Sequence, residues 1–277
     1  MLLRRTKFLF VLLVTGFSST SILALCGNTP DRFQEWISET RESALQKGID
    51  PIVLDNALSN ISYSHSTINL DRNQSVFNLS FEEFINKRGA SSIIVKGKEM
   101  RAKHADFLLS IENRYGVLPG VLMALWGLES AFGKIKGKHH TLSSLATLAY
   151  DCRRSKLFTG QFFSALELIS SGALDPNNCG AAHGEIGQFQ FLPSNLTKFG
   201  VDADGDGRVD VVDSYADALE SAANLLKNNG WDSLHGYQPG EKNFEVLRTW
   251  NLSSVYRKAI AYIASHIDEI VLQDVYR

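Results

Sequence analysis

An acidic side chain at the end of an apolar segment is the strongest candidate for chemistry in this sequence. Glu129 has Trp126 three residues before it and Phe132 three residues after it, and Gly133 ends the segment. At helical spacing these side chains share one side, so the carboxyl is expected to lie against aromatic rings. Such surroundings exclude water and raise a carboxyl pKa, which would let Glu129 act as a general acid near neutral pH. The alternative is a glutamate that only caps the helix or faces solvent.

A run of aspartates and glycines after residue 201 spells the first half of an EF-hand loop. Its aspartates offer hard oxygen ligands, Gly207 permits the sharp turn, and Arg208 offers its carbonyl. Asp213 stands where a longer glutamate is usual, so Asp217 is a second candidate in a longer loop. The sequence therefore predicts a structural Ca²⁺ site within residues 202–217, and the alternative is a surface turn without metal. The six predicted ligands are Asp202, Asp204, Asp206, Arg208, Asp213 and Asp217.

The first 26 residues have the pattern of an export signal. A basic start is followed by an apolar run over residues 8–17, which is too short to cross a bilayer comfortably. We therefore expect residues 1–26 to be a signal peptide, with a membrane anchor as the alternative, and residues 27–277 to form one catalytic unit. The basic residues are Arg4, Arg5 and Lys7.

The chain contains three cysteines. Cys26 is placed where an exported protein can carry a lipid, which would associate it with the outer membrane, although Leu25 before it is bulkier than such sites prefer. Cys152 and Cys179 then remain as an even pair in an oxidising compartment. We expect either a disulfide between these two or two free thiols, because the sequence does not give their separation.

Hydrophobic periodicity indicates a mainly α-helical protein. Apolar residues recur at helical spacing, one run is continuous from residue 93 to residue 115, and the strict alternation of strands is scarce. We detect no internal repeat or interdomain linker, so we expect one compact, monomeric unit. The glycines that should end helices are Gly116, Gly133, Gly172 and Gly230.

Composition excludes two classes of protein. A chain of 277 residues with 44% hydrophobic and 21% charged residues can bury a sizeable core and is not typical of a disordered protein. Its formal net charge is −2, and loss of the three cations of the basic start would leave 28 − 3 = 25 bases against 30 acids, a net charge of −5. Such a chain has no general attraction to nucleic acid.

Five motifs follow one another along the chain. They read YGV at 115–117, WGLESAFG at 126–133, SLATLAYD with two arginines at 144–154, GEIGQFQFLPS at 184–194 and WNLSSVY at 250–256. Together they resemble the membrane-bound lytic murein transglycosylase B family, from about residue 30 to the end. The resemblance implies a lysozyme-like α-helical catalytic domain with additional helices. It also implies an exported, periplasmic enzyme that acts on peptidoglycan glycan strands.

The resemblance assigns roles to individual residues. Glu129 matches the family's catalytic acid, and Gln190 matches its active-site glutamine. Asn251 and Tyr256 match residues that line the site, and Trp250 stands where a tyrosine is usual.

The sequence also departs from the family pattern at four positions. Ala181 replaces a frequent site serine, and Leu225 replaces a usual site tyrosine. Glu185 replaces a small residue, and His183 is also atypical. These differences bear on substrate contacts and rate rather than on the position of the catalytic acid.

The resemblance implies a reaction without a catalytic cofactor and with one carboxyl group. Glu129 would protonate the oxygen between N-acetylmuramic acid and N-acetylglucosamine while the substrate's acetamido group steadies the sugar cation. The ionised carboxylate would then take the proton of the muramic C6 hydroxyl and close a 1,6-anhydro ring. Most glycoside hydrolases use two carboxyls, so the alternative is a muramidase-type hydrolase that uses Glu129 and Glu185. A non-catalytic wall-binding protein is a third interpretation.

Overall fold

The computed structural model describes residues 25–73 and 79–270, and α-helices dominate them. The expected mainly α-helical fold is confirmed. A two-stranded antiparallel sheet within this part of the chain pairs β1 (His139–His140) with β2 (Cys179–Gly180). The helices are α1 (Phe33–Gln46), α2 (Pro51–Leu58), α3 (His65–Arg72), α4 (Phe81–Lys87), α5 (Ala90–Lys103), α6 (Ala105–Tyr115), α7 (Pro119–Ser130), α8 (Thr141–Tyr150), α9 (Ser155–Ser170), α10 (Pro193–Phe199), α11 (Tyr215–Asn228), α12 (Lys242–Val246) and α13 (Ser254–Asp268), with 3₁₀ turns at Pro30–Arg32 and Leu247–Thr249.

Four glycines follow the ends of helices, as the sequence predicts. All four have the left-handed backbone conformation that glycine adopts without strain. The run from residue 93 to residue 115, however, is not one helix, because His104 interrupts it with φ −113° and ψ 27°. The chain turns there, and α5 and α6 both pack on α7. The four glycines are Gly116 (φ 72°), Gly133 (φ 79°), Gly172 (φ 78°) and Gly230 (φ 102°).

Helix α7 lies at the centre of the fold. Every residue of this helix is buried except Glu129, which is the pattern of a helix enclosed by its neighbours. Pro119 begins it, where a missing N–H leaves no hydrogen bond unmade. Helices α13 and α5 pack against it. Gly120 permits this close packing, because a Cβ there would lie 2.5 Å from the carbonyl oxygen of Ala264 on α13.

A second group of helices packs around α8 and α9. Helix α10 lies against α9, and α1 and α3 lie against α8. The segment that joins β2 to α10 and the segment that precedes α13 close the space between this group and the C-terminal end of α7. The single unburied residue of α7 therefore faces a cleft between the two groups of helices.

Cys152 and Cys179, whose pairing the sequence left open, are not bonded to each other. Cys152 is bonded to Cys26, with the two Cα atoms 5.0 Å apart, and Cys179 is free and exposed. Cys152 follows the C-terminal end of α8, where the Gly27 N–H donates to the Tyr150 carbonyl at 3.0 Å and brings the chain alongside. Cys179 instead pairs with His140 at the other end of α8, about 15 Å away along a ten-residue helix.

This bond involves the last residue of the predicted signal peptide, so a mature chain keeps the bond only if cleavage precedes Cys26. The division into residues 1–26 and 27–277 stays a prediction. The bond also uses the thiol that a lipid would need. Residues 1–24, which hold the rest of the predicted signal, lie outside the described residues. In the described ranges, no helix is both long enough and apolar enough to cross a bilayer.

Candidate active site

Glu129 occupies the last turn of α7, and its side chain is partly exposed to the cleft. The backbone leaves the helix after Ser130, where Ala131 and Phe132 have φ values of 51° and 60°. Two consecutive non-glycine residues with left-handed backbone conformation store strain, and such strain is concentrated at functional sites. The Phe132 N–H donates to the Trp126 carbonyl at 3.1 Å, which closes the helix end and fixes the position of Glu129.

The aromatic neighbours expected from the local motif are not the ones that bond the carboxyl. Because the helix does not continue, Phe132 folds back onto Trp126, with ring centroids 5.6 Å apart. Trp126 is buried, and its Nε1 donates to Gln188 Oε1 at 3.0 Å. The aromatic residues of the motif therefore pack behind Glu129. The residues that donate hydrogen bonds to its carboxyl come from the C-terminal part of the chain.

Two hydrogen-bond donors hold one oxygen of the Glu129 carboxyl. Tyr256 Oη donates to Glu129 Oε1 at 2.6 Å, and Trp250 Nε1 donates to the same atom at 2.8 Å. No hydrogen bond from the described residues reaches Oε2. Trp250 stands where the family resemblance has a tyrosine, and its indole N–H is also a hydrogen-bond donor to Glu129 Oε1. Tyr256 and Trp250 thus join Glu129, as the resemblance implies.

The surroundings of Glu129 act on its pKa in opposite directions. Burial raises the pKa and is the dominant effect, whereas the hydrogen bonds from Tyr256 and Trp250 and the nearby charge of Arg88 lower it. Glu185 adds a like charge that raises it further. The net result is a raised pKa, which favours the protonated carboxyl that a general acid requires.

Gln190 and Asn251 line the same cleft as Glu129. Gln190 has φ 52° in a tight turn, and its Nε2 donates to the Gly187 carbonyl at 2.7 Å. The Oδ1 atom of Asn251 accepts the Ser253 N–H at 2.9 Å at the start of α13. Both amides are therefore oriented by their own loops, and the predicted substrate-binding set lies together around the carboxyl.

Three of the four departures from the family pattern also line the cleft. They are Ala181, His183 and Glu185, whereas Leu225 is buried on α11 and is not among the cleft residues. Glu185 Oε2 accepts the His183 N–H at 2.9 Å, so this carboxylate holds its own loop while it borders the cleft.

The sequence interpretation gave no site role to residues at the start of α9. Arg154, Leu157 and Phe158 line the cleft. Arg154 packs over the Phe158 ring, with the guanidinium 4.8 Å from the ring centroid, and forms an ion pair with the buried carboxylate of Asp71 on α3. The paired arginines of the SLATLAYD motif were the available signal, but their ion partner 83 residues away (154 − 71 = 83) is not visible in a linear pattern.

The acidic loop brings together three of its six predicted ligands. Carboxylate oxygens of Asp202, Asp204 and Asp217 lie within 4.8 Å of one another. Asp213 is not among them, because its side chain pairs with Lys136 Nζ at 2.6 Å. The remaining two residues bond within the loop. Asp206 Oδ1 accepts the Arg208 N–H at 2.9 Å, and the Arg208 side chain donates to Asp210 at 2.7 Å.

Burial of the acidic loop is uneven. Asp217 is fully buried at the start of α11, and burial raises its pKa. Its two oxygens accept the N–H groups of Ala203 and Asp210 at 2.9 and 2.7 Å. Gly205 and Gly207 provide the left-handed turns, with φ 76° and 91°. Hard carboxylate oxygens converging on one point in a glycine-turned loop fit a Ca²⁺ ion.

The helical architecture and the single acidic residue at the end of an enclosed helix define a lysozyme-like catalytic domain. The family described as "Transglycosylase SLT domain" matches residues 32–239, and the chain belongs to this family.

A known protein is similar to part of the chain. The chain is 36% identical over 131 residues to membrane-bound lytic murein transglycosylase B of Escherichia coli (strain K12), a match that covers 47% of this chain. The match covers only 36% of that relative's length.

Solved structures share the fold over nearly the whole described chain. SltB3 from Pseudomonas aeruginosa, in complex with NAG-NAM-pentapeptide, superposes with a TM-score of 0.80 at 26% identity and covers 87% of this chain and 80% of its own. A second SltB3 structure contains NAG-anhNAM-pentapeptide. The Escherichia coli lytic transglycosylase SLT35 in complex with calcium has a TM-score of 0.74 at 22% identity, with 92% and 99% coverage, and this similarity shows the fold alone.

Proposed function

We propose that this protein is a lytic transglycosylase that cleaves the MurNAc-β-1,4-GlcNAc bond of peptidoglycan and leaves 1,6-anhydro-MurNAc ends. The observation that carries this proposal is the state of the Glu129 carboxyl. Tyr256 and Trp250 occupy Oε1, which leaves Oε2 as the oxygen that can exchange a proton with a sugar in the cleft. Membership of the family supports this assignment.

The first step uses Glu129 as an acid. Burial raises the pKa of Glu129 and so favours its protonated form, in which Oε2–H donates its proton to the glycosidic oxygen as that bond breaks. Negative charge then develops on Glu129. The Tyr256 and Trp250 donors stabilise this charge, since hydrogen bonds to an ionised acceptor are stronger than those to a neutral one. The site therefore binds the transition state more strongly than the ground state.

The second step uses the same group as a base. The carboxylate takes the proton of the muramic C6 hydroxyl, whose oxygen bonds to the anomeric carbon and closes the anhydro ring. Protons balance over the two steps, and water is not consumed. Attack by a hydroxyl of the same sugar has a proximity advantage over attack by water. The anhydro sugar in the second SltB3 structure supports this course over hydrolysis.

The periplasm is the proposed location. The Cys26–Cys152 bond supports it, because structural disulfides persist in oxidising compartments. Glycan strands of the cell wall are the proposed partner. We do not retain a lipid anchor at Cys26 in this proposal, because the bond uses that thiol.

The decisive test is the chemistry of the products released from purified sacculi, measured by mass spectrometry. Wild-type protein should release muropeptides with anhydro ends. Glu129→Gln should reduce release by about 10²-fold or more, because the amide fits the same space but has no proton to give. Glu99→Gln is a matched control on the exposed face of α5. Reducing-end muramic acid as the main product would instead support a hydrolase, and more than about a tenth of wild-type activity in Glu129→Gln would reject the single-acid mechanism.

We also propose that the acidic loop binds a structural Ca²⁺ ion through Asp202, Asp204 and Asp217. Three converging carboxylates repel one another, so a bound cation should stabilise the folded loop by about RT ln(1 + [L]/Kd). Millimolar calcium should raise the melting temperature of the wild type, and Asp204→Ala should abolish the increase. Asp213→Ala should retain it, because Asp213 pairs with Lys136. Identical melting curves in calcium and in chelator would reject the site.

A further inference from the structure

The C-terminal end of α7 leaves a carbonyl group that needs a donor. In a continuous helix the N–H of residue 132 would donate to the carbonyl of residue 128. Here the Phe132 N–H donates to Trp126 instead, because the chain turns left-handed after Ser130. The Leu128 carbonyl, which belongs to the residue directly before Glu129, accepts a hydrogen bond from Arg88 Nη2 at 2.7 Å.

Arg88 also contacts the tyrosine that bonds the catalytic carboxyl. It caps the C-terminal end of α4, and Gly89 (φ 68°) turns the chain into α5 immediately after it. Its guanidinium lies 5.8 Å from the centre of the Tyr256 ring and 6.0 Å from the centre of the Phe84 ring. A cation over an aromatic face is attracted to it. One side chain thus connects the backbone next to Glu129 with the ring of Tyr256.

The charges that face Glu129 come from several elements of the fold. Tyr256 of α13 donates to it, Glu185 of the segment after β2 repels its ionised form, and Arg88 favours that form. Arg154 and His183 line the cleft as well. Arg88 is also a cation at the C-terminal end of α7, where the helix dipole favours positive charge. Its side chain is exposed, so salt should screen this effect.

We propose that Arg88 is a positioning residue of the catalytic centre, which caps the Leu128 carbonyl, packs on Tyr256 and supplies positive charge while Glu129 is ionised between the two steps. The inference rests on the proposed function, because it assumes that Glu129 passes through an ionised state. Arg88 is not among the residues that line the cleft. It therefore acts through Glu129 and Tyr256 rather than on the sugar.

The test compares Arg88→Gln and Arg88→Lys with wild type on purified sacculi over a range of pH. Arg88→Gln retains a donor for the Leu128 carbonyl but loses the charge. We expect kcat to fall about tenfold with KM nearly unchanged. We also expect the alkaline limb of the kcat profile to move to higher pH, because the ionised form of Glu129 loses a stabilising charge. Arg88→Lys should keep the wild-type limb.

Lys87→Gln is the matched control, because it removes the same charge from the neighbouring exposed position. It should leave kcat, KM and the alkaline limb unchanged. High salt screens the charge of Arg88, so it should move the alkaline limb of the wild type to higher pH, as Arg88→Gln does. The alkaline limb of Arg88→Gln should move much less with salt, because that variant has no charge at this position to screen.

Two outcomes would overturn the inference. One is an Arg88→Gln profile that equals that of Lys87→Gln. The other is an equal loss of activity at every pH in both Arg88 variants together with a lower melting temperature, which would show a purely structural role. Failure of the proposed function would look different, because a hydrolase would release reducing-end muramic acid from the wild type. The Arg88→Gln limb would still move in that case, since Glu129 is the acid in either reaction.

Discussion

Replacing Cys26 by serine should lower the free energy of unfolding, because the Cys26–Cys152 bond joins residues that are 126 positions apart. Closing a loop of this length removes chain entropy from the unfolded state, worth about 5 kcal/mol at 25 °C in the simplest treatment. Measured effects of disulfides are typically smaller, at about 2–4 kcal/mol. For a protein of this size such a change lowers the melting temperature by about 4–8 °C.

The assay is thermal unfolding followed by circular dichroism, with Cys179→Ser as the control. Cys179 is free and exposed, so its replacement should leave the melting temperature unchanged. Cys26→Ser, Cys152→Ser and the double variant should melt alike, because each removes the same bond, and a reductant should bring the wild type to the same temperature. Wild-type stability in Cys26→Ser, or a comparable loss in Cys179→Ser, would refute the assigned pairing.

Two further predictions follow from buried or clustered carboxyls. Glu185→Gln should move the alkaline limb of the kcat profile to lower pH, because a like charge that raises the pKa of Glu129 is removed. Muropeptide analysis of this variant should still find anhydro ends. If the wild type released reducing ends and the variant released anhydro ends, Glu185 would instead be the group that activates water. Burial raises the pKa of Asp268 to about 6, so this group's contribution to stability is present below the unfolded pKa and is lost as the pH rises through 6. Asp268→Asn, which retains an acceptor for the Gly120 N–H, should gain about 1 kcal/mol on the wild type between pH 5 and pH 7 in denaturant unfolding, and a constant difference would contradict this.

Local sequence patterns were sufficient to predict the helical class and the position of Glu129. The four glycines that follow helices were also predictable, since each needs a conformation that glycine favours. The interruption at His104 could not be predicted, because the hydrophobic periodicity continues across it. The bend is visible only in the way that α5 and α6 both pack on α7.

Contacts between distant parts of the chain could not be predicted from local sequence patterns. Glu129 is bonded by Trp250 and Tyr256, which are 121 and 127 residues away, and only the family resemblance placed them at the site. The sequence left the cysteine pairing open, because the pairing depends on how the chain near Gly27 runs beside the end of α8.

Arg88 could not be predicted from the sequence for the same physical reason. Its partner is a backbone carbonyl 40 residues later, and no side-chain pattern marks a carbonyl that has lost its helical donor. The left-handed turn after Ser130 creates this need, and it also brings Phe132 onto Trp126.

The two donors on Glu129 Oε1 have a consequence for the movement of the substrate. Because Tyr256 and Trp250 fix that oxygen, the carboxyl group cannot rotate to present a different atom in each step. Under the proposed mechanism, the oxygen that gives up the proton must also receive one. The departing bridge oxygen and the C6 hydroxyl must therefore occupy nearly the same point in turn. The muramic ring therefore has to move within the cleft between the two steps, so a sugar held too tightly to move should be a poor substrate.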